Sequence, residues 1–281
     1  MAARLVALIV AMLMVGCSTA APTPKRIALL APFEGRYREV GYDALYAVRL
    51  ALQDADIQPL DLLPIDDGGT IASATDRARA LNHDPQVQAA LVLGLAATAP
   101  ETLSAFADIP VVVIGDWGAQ PEAERVFILT NPQLRDQLTV PARTAVTDAA
   151  QMDAPFTGGE IVALDQFADL RQSSLTDISI LSSAMLPDAA FTEQYHSSDT
   201  FAPEPGLLAA LAYDAARLTG QAIASADNRQ DTARALTTMR YEGLHGVIQF
   251  ENGYWQNAPI HTYRYADDGT LHPLDDIIEQ G

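Results

Sequence analysis

The chain has 281 residues, a hydrophobic content of 49% and a formal net charge of −19 from 17 basic and 36 acidic residues. A surface this acidic repels nucleic acid and anionic lipid headgroups, which excludes both as partners. Cys17 is the single cysteine and Lys25 the single lysine, placed in the stretch after the N-terminal apolar run, which argues against disulfides, thiolate zinc sites, Schiff-base lysines and phosphate-loop lysines.

The N-terminus reads MAARLVALIVAMLMVGC, with one positive charge at Arg4, an apolar run from Leu5 to Val15, then Gly16 and Cys17. This is the layout of a secretory signal, because its apolar core is shorter than the roughly 20 residues that span a bilayer. The last four residues resemble a bacterial lipobox, which would make Cys17 the lipidated first residue of the mature chain. An ordinary signal with a chance cysteine is the other reading. The absence of a second cysteine and the flexible stretch Ser18 to Pro24 favour lipidation. The expected location is extracytoplasmic, lipid-anchored to the cell membrane, on the periplasmic side or at the cell surface.

Strand and helix signals then alternate. IALLAPF (27–33) is a short apolar run of the buried-strand type, and Ala44, Leu45, Val48, Ala51, Leu52 and Ala55 recur at helical spacing. LDLLPID (60–66) predicts a second strand, and Thr70 can cap a helix carrying Ala74, Ala78 and Leu81 on one face. A third strand over 87–93 ends at Gly94, a helix is predicted over 99–107, and a fourth strand over 110–115. This alternation predicts a parallel sheet covered on both faces. From 126 to 186 the signals weaken. Strands are expected near 126–129, 160–164 and 178–181, and a helix over 133–150. Regularity returns with PGLLAALAYDAARLTGQAI, a helical stripe, then a helix over 231–240 and a β-like end with turns at Asn252-Gly253 and Asp268-Gly269.

Catalytic and metal-binding patterns are lacking. There is no G-x-S-x-G or H-E-x-x-H, and His83, His196, His245, His261 and His272 show no metal-ligand spacing. No cofactor, no metal and no enzyme activity are expected, and no pair of carboxylates stands out from the acidic background for acid–base work.

Three stretches together resemble the type I periplasmic binding proteins, specifically the leucine/isoleucine/valine-binding-like group. They are IALLAPFEGRYREVGYDALYAVRLALQDA, IDDGGTIASATDRARALNHDPQVQAALVLG, and AYDAARL with HGVIQFENG and PIHTYRYADDG. The resemblance covers about half of the chain and rests on order and spacing rather than on one motif. It implies two α/β lobes joined by a hinge, closing on a small solute such as an amino acid for delivery to an ABC permease.

The resemblance also places site residues. Thr98 falls where the family has a carboxylate-binding hydroxyl, on the crevice side of a parallel sheet, although it can equally serve as the cap of the helix that follows. Tyr37 matches a position whose side chain covers the ligand, or packs as a surface aromatic. After the fourth strand, Asp116 and Trp117 replace the usual small and hydroxyl residues. Asp116 would repel an anion and favour an ammonium or guanidinium group, and Trp117 would stack on a ligand or plug the crevice. The second lobe is shortened across the region where the family keeps its ammonium-binding acid, a role for which Asp165 or Asp169 is a substitute.

The expected organisation is a signal over 1–17, a tether over 18–26, a main lobe from 27–120 plus 187–250, and a reduced second lobe from 121–186 plus 251–281. The expected function is a membrane-anchored solute-binding protein of an ABC transporter, with an amino-acid-like solute, a permease and the membrane as partners. The alternative is a lipoprotein that keeps the fold and acts as a regulatory or protein-interaction module without capture.

Overall fold

The computed structural model describes residues 24–54, 60–121, 124–139, 144–145, 161–167 and 178–274. The signal, Cys17 and Asp169 lie outside these residues.

The larger sheet is built by strand–helix alternation: β1 (Lys25–Ala31), α1 (Arg38–Gln53), β2 (Leu60–Asp66), α2 (Ile71–Leu81), β3 (Val87–Val92), α3 (Pro100–Ala105), β4 (Val111–Ile114) and β5 (Val126–Leu129). β3, β4 and β5 are buried along their whole length, as apolar runs must be in a sheet covered on both faces. After a return from the second sheet come α4 (Ala189–Ser198), α5 (Leu207–Ala224), α6 (Arg229–Thr238) and the hairpin β9 (Tyr241–Gly243) with β10 (Gly246–Ile248). The pair β11 (Phe250–Glu251) and β12 (Tyr254–Trp255) then completes the larger sheet in the order β11-β12-β5-β4-β3-β1-β2.

Local sequence explains the helix starts. The side chains of Thr70, Asp188 and Asn228 accept the amides of Ser73 (3.2 Å), Phe191 (2.8 Å) and Asp231 (3.0 Å). α5 is alanine-rich and buries 14 of its 18 residues, which lets α1 pack closely along it. Asp43, 2% exposed in α1, is held in this interface because its carboxylate accepts the Gly206 amide at 3.2 Å.

The smaller sheet contains β6 (Thr144–Ala145), β7 (Ile161–Ala163) and β8 (Ile178–Ser182) in parallel, with β13 (His261–Tyr265) and β14 (Leu271–Pro273) antiparallel at the other edge. Strand pairing puts 126–129 and 250–255 in the larger sheet. Where a helix is expected over 133–150, the described residues show none: 135–139 make a 3-10 turn and 144–145 a strand, while 140–143 and 146–150 lie outside the described residues. Leu134, just before this turn, and Leu138 within it pack with Leu164 and Leu181, so burial against the second sheet overrides the weak helical spacing.

The chain therefore crosses between the sheets three times, after β5, after β8 and after β12. Asn131 ties all three crossings together. Its amide donates to the Ser183 hydroxyl at 2.9 Å, and its side-chain nitrogen to the Ala258 carbonyl at 2.5 Å.

Candidate functional site: the crevice between the sheets

β1 lies between β2 and β3, so the chain steps one way from β1 to β2 and back past β1 to β3. Right-handed crossovers then place α1 and α2 on opposite faces, and the loops leaving β1 and β3 diverge. In open parallel sheets such a switch point, at the carboxyl ends of the strands, is where ligands bind. Tyr37 follows β1, Thr98 follows β3, and Asp116 and Trp117 follow β4, the next strand across.

Gly94, two residues beyond β3, has φ +93, and a Cβ there would come within 2.9 Å of the Pro32 ring. This glycine lets the exits of β1 and β3 meet. Asp67, 2% exposed, completes that corner. Its amide donates to the Ala31 carbonyl at 2.9 Å, and burial raises its carboxyl pKa above the ordinary value.

Thr98 is 2% exposed, and its amide (3.1 Å) and hydroxyl (2.8 Å) both donate to the Gly94 carbonyl. Ala99, not Thr98, occupies the cap position of α3, with no side-chain cap bond. The hydroxyl oxygen of Thr98 keeps its acceptor capacity. Trp117 is 5% exposed, its indole nitrogen donates to the Ile114 carbonyl at 2.8 Å, and the Tyr37 ring meets it edge-on at 6.2 Å between centroids. Its hydrogen bond back to β4 holds the indole against its own strand.

The charge of Asp116 is already met inside the protein. Its Oδ1 accepts the Gly118 amide at 2.8 Å and two nitrogens of Arg135, Nη2 at 2.7 Å and Nε at 3.0 Å. Arg135 was not singled out from the sequence. It sits in the weak-signal stretch after β5, and only the fold brings it 19 residues back to the crevice. Asp165, named from the sequence as a substitute for an ammonium-binding acid, takes a different place: it is 0% exposed and its Oδ2 accepts the Asp116 amide at 2.8 Å. One contiguous apolar cluster runs through both lobes, with Ala163, Phe167 and Ile180 of the smaller lobe alongside Ile114 and Trp117 of the larger.

A second polar cluster fastens the crossing after β8. The buried Asp214 carboxylate of α5 accepts the Tyr241 hydroxyl (3.1 Å), the amides of Leu244 (3.0 Å) and His245 (2.9 Å), and pairs with His245 Nδ1 at 2.8 Å. His245 Nε2 accepts the Met185 amide at 3.1 Å, which makes the ring neutral with its proton on Nδ1, facing Asp214. Burial, then the Asp214 charge, raises the Tyr241 pKa.

A groove of ≈1810 Å³ lies at the opposite end of the larger sheet, lined among others by Gln88, Asp108, Arg125, Arg229 and Arg234. Arg229 there is engaged by the carbonyls of Val87 (2.7 Å) and Asp84 (2.6 Å) and by Asp108 (2.9 Å), so it closes the sheet's amino end. The chemistry of a ligand site is concentrated at the carboxyl end instead. Among the described residues no cluster of histidine and acidic side chains could hold a metal ion, and no helix is long and apolar enough to cross a membrane.

No protein-family model matches the sequence, and no curated protein does. The fold is similar to that of several solved structures. One is LivJ from Streptococcus pneumoniae, a branched-chain amino acid transporter substrate-binding protein in complex with isoleucine, at 15% identity and TM-score 0.68 over 89% of this chain and 98% of that one. A second is the leucine-binding protein LivK from Thermotoga maritima, at 17% identity and TM-score 0.64 over 90% and 99%. A third is an ABC transporter solute-binding protein from R. palustris in complex with benzoate, at 14% identity and TM-score 0.66 over 90% and 96%. The chain has the type I periplasmic-binding-protein fold, with a mainly parallel sheet flanked by helices and a second sheet joined to it by three crossings.

Proposed function

We propose that this chain is a membrane-anchored extracytoplasmic solute-binding protein that passes a small polar solute of the amino-acid class to an ABC permease. It acts as a binding protein rather than an enzyme, anchored through Cys17. The observation that carries the reading is the Asp116 amide, a backbone donor at the carboxyl end of β4 that already accommodates a carboxylate. Tyr37, Thr98, Asp116 and Trp117 are the proposed ligand-contacting residues, on the loops that follow three neighbouring strands.

The same contact favours a second reading, in which the fold is kept and capture is lost. The crevice donor is used by the protein's own Asp165, and the Asp116 charge by Arg135. A module of this kind would present a fixed two-lobed surface to a protein partner.

The deciding experiment is a thermal-shift screen of the mature chain from Ser18 against amino acids, polyamines and common small solutes. A ligand that binds only the folded state raises the melting temperature by mass action. A shift from one solute class that is lost in Thr98→Ala supports capture, whereas a flat response overturns it in favour of the second reading. Acyl-chain labelling of the full chain in the host, lost in Cys17→Ser, tests the anchor.

A further inference from the structure

Asp165 reaches the crevice from the smaller lobe, on the short 3-10 turn (Asp165–Phe167) that follows β7, 49 residues beyond its partner. The larger lobe is shaped to receive it. Gly115 has φ +82, and a Cβ there would lie 2.9 Å from the same carboxylate oxygen and 3.2 Å from Leu208 Cδ2. Any side chain at 115 would press on this carboxylate and force it to shift. Asp165 is 0% exposed and Asp116 6% exposed, so two carboxylates share a water-poor corner in which Arg135 bonds Asp116. A third carboxylate could not enter beside them without adding a buried charge to the same corner, which is strongly unfavourable. It could enter by replacement, because Asp165 can return to water once the lobes part.

We propose that Asp165 is a built-in stand-in for a solute carboxylate: it occupies the Asp116 amide in the solute-free protein, holds the two lobes together, and gives way only to a solute bearing its own carboxylate. The latch needs only the observed contact. Its release by solute rests on the solute-binding reading above. Cationic solutes without a carboxylate leave the latch in place.

Trp117 reports on this corner. The chain has two tryptophans, and Trp255→Phe leaves Trp117 as the single indole. In that background we compare acrylamide quenching and melting temperature for the mature chain with Asp165 intact and with Asp165→Ala, each with sodium acetate or sodium chloride at equal ionic strength. The expected result is several-fold stronger quenching in Asp165→Ala, reversed by acetate and not by chloride, with little acetate effect when Asp165 is present. Unchanged quenching on removal of Asp165, or an acetate response that is equal with and without Asp165, overturns the proposal. Should Asp165→Ala fail to fold, Asp165→Ser keeps a polar group in the buried corner and carries the same readouts. A flat solute screen together with acetate rescue keeps the latch and removes transport. A positive screen without rescue does the reverse.

Discussion

Arg135 grips Asp116 through a fork in which Nη2 at 2.7 Å and Nε at 3.0 Å meet the same carboxylate oxygen. Asp116 is 6% exposed, so its carboxylate is met by this arginine rather than by solvent. The pair turns a position that would attract a cationic solute into an internally neutralised one.

Removing the arginine alone leaves a buried, unpaired carboxylate. Losing one partner of a buried pair is worth about 3–5 kcal/mol, and the 37% exposure of the Arg135 side chain brings the expected loss down to about 1–3 kcal/mol. Urea denaturation of Arg135→Ala tests this. Arg135→Lys keeps the charge without the fork and should recover only part of the loss.

Asn131→Ala should weaken the junction of the three crossings rather than either sheet. It removes the donor to Ala258 and the acceptor of the Gln133 amide at 2.9 Å. A buried carbonyl left without its partner costs about 1–3 kcal/mol. Urea denaturation of Asn131→Ala should show a loss of that size, and hydrogen exchange should rise first at 130–134, 183–186 and 256–260. Uniform exchange across both sheets would contradict the role of Asn131 at the junction of the crossings.

Asp214 holds four donors with one buried carboxylate, and its partners Tyr241, Leu244 and His245 have no alternative acceptor among the described residues. Asp214→Ala is therefore expected to be the most damaging single change outside the apolar core, with a loss of about 3–5 kcal/mol. The melting temperature reads it. Asp214→Asn, which can still accept from two of the four donors, should fall between the two.

His261 sets a pH dependence. Burial, then the neighbouring His245, lowers its pKa below the ordinary 6.5. Below that value the unfolded chain takes up a proton that the folded chain refuses, so stability rises with pH. The contribution is present above about pH 6.5 and is lost as the pH falls through the folded value. Asp67 has the opposite sign. Burial raises its pKa above 3.8, and its contribution grows as the pH falls through the folded value toward 3.8. Urea stability measured from about pH 7 down to pH 5 should decline in the parent chain, and the decline should be shallower in His261→Gln.

Much of the larger sheet is legible in the linear chain because its signals are local. IALLAPF and the runs leading to Gly94 and Gly115 carry buried strands, LDLLPID is the half-exposed strand at the sheet's edge, and the Ala-Leu spacing of α1 and α5 is helical within a few turns. The stretch from 133 to 150 misleads for the same reason. Its weak helical spacing is a local preference that Leu134 and Leu138 forgo for burial beside Leu164 and Leu181.

The amino-acid sequence by itself determined the alternation of strands and helices, the acidic surface, and the placing of Tyr37, Thr98, Asp116 and Trp117 on loops after strands. Only the tertiary structure decided what those residues face. Asp116 meets Asp165 across 49 residues, and Asn131 meets Ala258 across 127. Periodicity records which face of an element is buried. It carries no information about which distant polar group will satisfy a given amide or carboxylate, because that partner is chosen by the packing of the two lobes.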